Sequence, residues 1–247
     1  MTDFASNTAR HAEEAAPAAV SKHAHVTTLA GLRVALRPSG AMWIEDVRAL
    51  VVADLHLEKG SAYAARGQML PPWDTRETLR RLCAEAAATD PAIIVLLGDT
   101  LHDGGAGGRM GVQDAATLEA LAVRARLVWI TGNHDHEGPQ GLAGESAGEM
   151  AFGELVLRHE PRAGADHAWA AGHLHPCARI RGLGASTRRR CFVGDGMRII
   201  LPAFGSYAGG LNVLDLAYEG LFAGERQVVA LGRERCVKVA AERLAGD

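Results

Sequence analysis

The chain has 247 residues, 48% hydrophobic and 22% charged, the balance of a soluble globular protein long enough to bury one sizeable core. Its formal net charge of −3 gives no general attraction to nucleic acid or to an acidic membrane, so a polyanion must be held locally, by a metal site or a patch. The scattered Cys83, Cys177, Cys191 and Cys236 form no C-x-x-C pair, which predicts reduced thiols in a cytoplasmic protein rather than a disulfide framework.

Residues 1–26 read as a flexible N-terminal tail, rich in Ala, Ser, Thr and charge and without the apolar core of a secretory signal. No later run approaches the roughly 20 apolar residues that span a bilayer, so no membrane partner is expected. Residues 27–247 are expected to form a single domain, its fold starting near Leu29. Residues 32–36 and 42–45, turning at Pro38-Ser39-Gly40, predict a hairpin. Strand 49–53 follows, then an irregular loop over 58–72 in which Glu58, Lys59 and Arg66 are candidate substrate contacts. Asp74 is suited to cap a helix over 75–88. Strand 93–97, a glycine-rich mobile connection at 104–111, a helix over 113–124 and strand 127–130 complete a βαβ pattern. Beyond residue 150 the pattern changes to short strands, at 154–158, 167–171, 190–193, 197–201, 211–216, 228–231 and 235–239, with a hairpin turn at Gly194-Asp195-Gly196.

The polar ends of the apolar runs carry the chemistry. Leu50-Val51-Val52-Ala53 ends in Asp54-Leu55-His56, and in an extended chain residues two apart project to the same side. The device recurs at Gly98-Asp99, at Gly132-Asn133-His134-Asp135, at His159 and at Gly172-His173-Leu174-His175. Glycine before the polar group lets the backbone turn and come close to a bound ion. Ligands of open α/β sheets sit outside the carboxyl ends of the strands, and carboxylate, imidazole and amide donors suit a borderline divalent cation. Any one of these residues alone is commonly a cap or a satisfied core histidine; together they read as a metal site.

This series, in this order from residue 54 to residue 175, resembles the calcineurin-like metallophosphoesterases. Asp54-Leu-His-Leu-Glu-Lys-Gly60, Ala65-Arg-Gly-Gln-Met-Leu-Pro-Pro72 and Leu201-Pro-Ala-Phe-Gly-Ser-Tyr-Ala-Gly-Gly-Leu-Asn-Val213 are similar to the bacterial ligase-associated DNA damage response endonucleases (PdeM-type). The resemblance implies a four-layer αββα sandwich of two mixed sheets flanked by helices. It implies two divalent ions, manganese in assays, with iron, zinc and cobalt also permitted by the donors. By carry-over Asp99 bridges the ions, Asp54, His56 and His175 hold one, and Asn133, His159 and His173 hold the other. His134 stabilises the phosphoryl oxygen or protonates the leaving group, and Asp135 either orients His134 or caps the next loop. His102 and Asp103 either support the ligands or merely turn the chain.

The implied activity is a dinuclear-metal phosphodiesterase, a nuclease linked to DNA repair with single-stranded DNA as substrate and repair proteins as partners. The same centre would serve a small-molecule phosphatase or pyrophosphatase, and a non-catalytic scaffold of the same fold is a third reading, disfavoured by the intact ligand series. Arg188-Arg189-Arg190, with Arg179 and Arg181 across a turn, is the one concentrated basic patch, expected either to grip substrate phosphates beside the cleft or to be a solvated hairpin tip.

Overall fold

A computed structural model describes residues 23–164, 167–182 and 184–247, so residues 1–22 of the expected tail lie outside it. The chain opens with β1 (His25–Leu29), β2 (Leu32–Leu36), β3 (Met42–Ile44) and β4 (Ala49–Val52), consecutive antiparallel neighbours. The first strand thus starts earlier than expected. Helices α1 (Lys59–Ala64) and α2 (Asp74–Thr89) lead to β5 (Ile93–Leu97), and α3 (Ala106–Arg109) and α4 (Val112–Arg124) lead to β6 (Arg126–Ile130). With β7 (Glu145–Ala147), strands β4, β5 and β6 pair in parallel and complete a seven-stranded sheet in sequence order.

The second sheet is built from β8 (Met150–Phe152), β9 (Leu155–Leu157), β10 (Ala168–Ala171), β11 (Pro176–Arg181), β12 (Ser186–Gly194) and β13 (Arg198–Ile200). The short β14 (Leu211–Asn212), then β15 (Gln227–Leu231), β16 (Cys236–Val239) and β17 (Leu244–Ala245), extend it. Its order is β14-β11-β12-β13-β10-β9-β8, with β15 joining β12 to β16 and β17 lying on β11. The predicted turn at residues 194–196 closes the β12–β13 hairpin.

Alternation along the strands explains how the sheets stack. Val51, Val95, Leu97 and Ile130 face Leu157, Phe192, Ile199 and Val229 across the core between the sheets. Leu50, Val52, Ile94, Leu96 and Trp129 face the other way, onto Leu79 and Leu82 of α2 and Leu118 and Leu121 of α4. Strands buried on both faces need continuous apolar runs, which is why these segments show no period-two polarity in sequence. The outer face of the second sheet, with Trp169, Cys191, Val193 and Ile200, is covered by Val213, Tyr218 and Leu221 from a segment that includes a 3₁₀ turn. The architecture is an α/β sandwich of two mixed sheets with helices. Among the described residues no helix is long and apolar enough to cross a membrane.

Two segments expected to be irregular carry helical turns. Residues 58–72 begin with α1, entered through Glu58 at φ +65°. The glycine-rich stretch contains α3. Asp74 does not cap α2; it is the first helical residue, and its carboxylate accepts the Gly60 N–H at 3.0 Å, tying α1 to α2. Glu58 is likewise buried rather than offered to substrate, accepting from Ser61 Oγ at 2.7 Å and Thr75 Oγ1 at 2.9 Å. Lys59 donates to the Tyr207 carbonyl at 3.1 Å and so holds the loop beyond Ala203.

Candidate metal centre

Strand β4 ends at Val52, and the chain does not stay extended after it. Asp54 (φ 53°) and His56 (φ 45°) both adopt left-handed backbone, as do Asp99 (φ 46°), His173 (φ 71°) and His175 (φ 47°). For non-glycine residues this conformation is strained and persists only where the surroundings enforce it. The enforcement is visible in the crossing hydrogen bonds. Asp54 N–H donates to the Gly98 carbonyl at 3.2 Å, His56 N–H to the Asp99 carbonyl at 2.9 Å and Gly172 N–H to the His159 carbonyl at 3.0 Å. The shared orientation of Asp54 and His56 therefore comes from two successive left-handed turns, not from strand alternation.

Two glycines make room for this convergence. A Cβ on Gly98 would lie 2.2 Å from His159 Nδ1, and one on Gly132 would lie 2.2 Å from Asp99 Oδ1. Each glycine lets a polar group from a different strand pass where a side chain would stand.

The polar atoms form two clusters. In one, His56 Nε2 lies 3.2 Å from His175 Nε2, which lies 3.4 Å from Asp54 Oδ1. In the other, His159 Nε2 and His173 Nδ1 lie 3.2 Å apart, each 3.0 Å from Asn133 Oδ1. Asp99 stands between them, Oδ1 3.4 Å from His159 Nε2 and Oδ2 4.0 Å from His56 Nε2. The groupings Asp54–His56–His175 and Asp99–His159–His173 each present three such atoms within 4.8 Å of one another. Lone pairs on imidazole nitrogens, carboxylates and an amide oxygen repel at these separations unless a proton or a cation lies among them, and such donors suit a divalent transition ion. The residues present thus fit the metal ions that the sequence implies.

The electrostatics agree. Burial, reinforced by His175 and opposed by Asp99, lowers His56 to about 3, so its ring is neutral and its lone pair free for a cation. Burial pushes Asp99 upward, but the hydrogen bond and charge of His159 outweigh it and bring the carboxyl down to about 2. Burial alone would lower His159; Asp99 beside it raises it instead. A cation bound between them would compete with the proton that Asp99 favours on His159.

His134 faces the opposite cluster from its neighbour Asn133. Its Nε2 lies 4.0 Å from Asp99 Oδ2, its ring is 5.1 Å from that of His56, and its Nδ1 is 2.9 Å from the His102 carbonyl. His102, whose role the sequence left open, stacks on His134 at 5.5 Å, and His56, His102 and His134 form a third group able to hold an ion. Its only sequence signal was a position three residues beyond Asp99. Of the two readings of Asp135, orienting His134 or capping a loop, its hydrogen bonds favour the loop. Its carboxylate is 1% exposed and accepts Thr100 N–H at 2.7 Å, Leu101 N–H at 3.1 Å and Gly132 N–H at 2.9 Å. It holds the two loops that carry Asp99 and Asn133, a positioning role.

The arginine run is not one patch. Residues alternate across β12, so Arg188 and Arg190 share one face and Arg189 lies on the other. Arg188 donates to Asp247 and to the Gly210 carbonyl at 2.5 Å. Arg190 is half-buried and donates to the Ala203 carbonyl at 2.8 Å. Neither is a free phosphate ligand at a hairpin tip. Arg66 is exposed just beyond α1, near enough for its charge to act on His102.

Residues 47–162 match the model of the calcineurin-like phosphoesterase family. No curated protein sequence matches the chain. The structure is similar to the nuclease MPE of Pseudomonas putida, with TM-score 0.67 and 28% identity over 87% of this chain and 100% of that one. It is distantly similar to the phosphoesterase Yfce of E. coli, with TM-score 0.38 and 14% identity over 78% of this chain and 98% of that one. The family match stops at residue 162, yet His173 and His175 from the second sheet complete both clusters, the donor set of a metal-dependent phosphoesterase.

Proposed function

We propose that the chain is a dinuclear metal-dependent phosphodiesterase that cleaves single-stranded DNA, akin to the ligase-associated DNA damage response endonucleases. The observation that carries the two-ion reading is Asp99, whose two oxygens face separate donor clusters. Asp54, His56 and His175 would hold one ion, Asn133, His159 and His173 the other, with Asp99 shared. Two divalent ions, when bound, supply Lewis acidity at a phosphoryl group and acidify water. The donors fit manganese, iron, zinc or cobalt.

The chain's own groups account for the remaining requirements. Asp135 fixes the backbone of the Asp99 and Asn133 loops through three N–H groups, so the donor atoms do not have to reorganise. His134 has its Nδ1 beside the His102 carbonyl and its Nε2 toward Asp99, so the imidazole edge that faces the centre can carry a proton to a leaving oxygen. Arg66, exposed beyond α1 and close enough for its charge to act on His102, is assigned to an adjacent phosphate. The choice of nucleic acid rests on the likeness to a nuclease and on the endonuclease-like motifs.

Manganese-loaded protein should be compared on single-stranded DNA, a chromogenic phosphodiester and the matching monoester. Hydrolysis of DNA and diester with little monoester turnover is expected. Preference for the monoester would point to a small-molecule phosphatase and overturn the assignment.

A further inference from the structure

Away from the metal centre, a groove of about 410 Å³ opens on the outer side of the second sheet, between the β11–β12 hairpin and the β15–β16 hairpin. Its cations are Arg181, Arg189, Lys238 and Arg243, and no aspartate or glutamate is among the described residues that line it. Arg243 is set in place by donating from Nε (3.2 Å) and Nη2 (3.0 Å) to the Arg181 carbonyl. The floor is aliphatic, from Ile180, Leu231, Val237 and Val239, and Val237 is 45% exposed. A protein of net charge −3 that gathers four cations around one aliphatic groove has built a local anion-selective surface.

Two features decide which kind of anion fits. The described lining contains no aromatic side chain, whereas surfaces for single-stranded nucleic acid ordinarily stack bases on aromatic rings. The groove also borders an open strand edge. From Ser186 to Arg190, β12 pairs with β11, while β15 reaches only as far as the Cys191–Ala230 pair on the other side. Among the described residues no strand satisfies that second edge over 186–190. An extended peptide can add there through its backbone, placing alternate side chains on the aliphatic floor and the cationic rim.

We propose that this groove binds an extended acidic segment of a partner protein, laid along the free edge of β12 with its carboxylates on Arg181, Arg189, Lys238 and Arg243. The interaction is independent of the chemistry at the metal centre. Carboxylate–guanidinium pairing sets the charge preference, and aliphatic residues between the acids fill the floor.

The probe is a short fluorescent peptide alternating glutamate with valine, titrated into the full chain and read by anisotropy, beside its lysine-for-glutamate counterpart and an oligothymidylate of similar length. The acidic peptide is expected to bind saturably and the lysine peptide not to bind. The pair Arg181→Glu and Lys238→Glu should weaken binding by at least about tenfold at an unchanged melting temperature. The milder pair Arg181→Gln and Lys238→Gln, which adds no repulsion and leaves the fold undisturbed, should weaken it less but measurably. Absence of saturable binding, or affinity that ignores both pairs, overturns the proposal. Oligothymidylate binding that falls with the same substitutions would make the groove a nucleic-acid surface and overturn it equally.

Discussion

Replacing Asp135 separates a positioning role from a chemical one, and the structure fixes the expected size. Oδ2 accepts Thr100 N–H (2.7 Å) and Leu101 N–H (3.1 Å), and Oδ1 accepts Gly132 N–H (2.9 Å). Asparagine can keep its oxygen on the first two donors but turns an amide NH₂ toward Gly132, leaving one buried donor unsatisfied. That costs about 1–3 kcal/mol, against which the burial that raises Asp135 gives back part, because the neutral amide escapes the carboxylate's desolvation. Alanine orphans all three donors and costs about 3 kcal/mol or more. In a domain of this size each kcal/mol moves the melting temperature by about 2–4 °C. Thermal and urea melts of metal-free protein should therefore rank wild type above Asp135→Asn above Asp135→Ala. Metal content should fall in the same order, because the Asp99 and Asn133 loops lose their common anchor. A variant with native stability and full metal content but no activity would refute this reasoning and make Asp135 a direct participant in the reaction.

His134→Ala should lower turnover by about 10²- to 10⁴-fold, the usual size of an acid–base contribution, with metal content nearly unchanged in elemental analysis. Gly132→Ala places a Cβ 2.2 Å from Asp99 Oδ1 and 2.3 Å from its backbone nitrogen, so it should lose metal on loading and about 1–3 kcal/mol of stability in a urea melt. Asp195 accepts four backbone N–H groups, from Met197, Arg198, Ala223 and Gly224, which together outweigh burial and hold its carboxyl below the ordinary value. Its contribution is complete above the unfolded pKa of about 3.9 and is lost as pH falls through the lower native value. The stability gap between wild type and Asp195→Asn should accordingly be open at neutral pH and close in acid.

The residues that converge on the candidate centre were legible because their signal is local: an apolar run, a polar end and, in several cases, a glycine before it. The way they converge was not, since Asp54 and His56 reach a common point through left-handed turns enforced by Gly98 and Asp99 just beyond the end of β5. The arginine run misled for a related reason. Strand β11 begins at Pro176, directly after His175, and without its register against β12 nothing in the sequence places Arg188 and Arg190 on one face and Arg189 on the other. Asp74 looked like a cap because acidic residues before an apolar helix usually are caps; here the tertiary partner Gly60 claims the carboxylate. Short α1 escaped notice because six residues carry too little periodicity, and its entry is fixed by Glu58, Ser61 and Thr75.

If Asp99 joins two metal sites, the chain holds two ions, and metal stoichiometry shows whether it does. After manganese loading and removal of free ion, elemental analysis of wild-type chain should find about two equivalents, as a two-metal centre requires. Asp99→Ala should bind fewer and lose phosphodiesterase activity. One tightly held ion in the wild type, retained unchanged in Asp99→Ala, would rule out a shared Asp99.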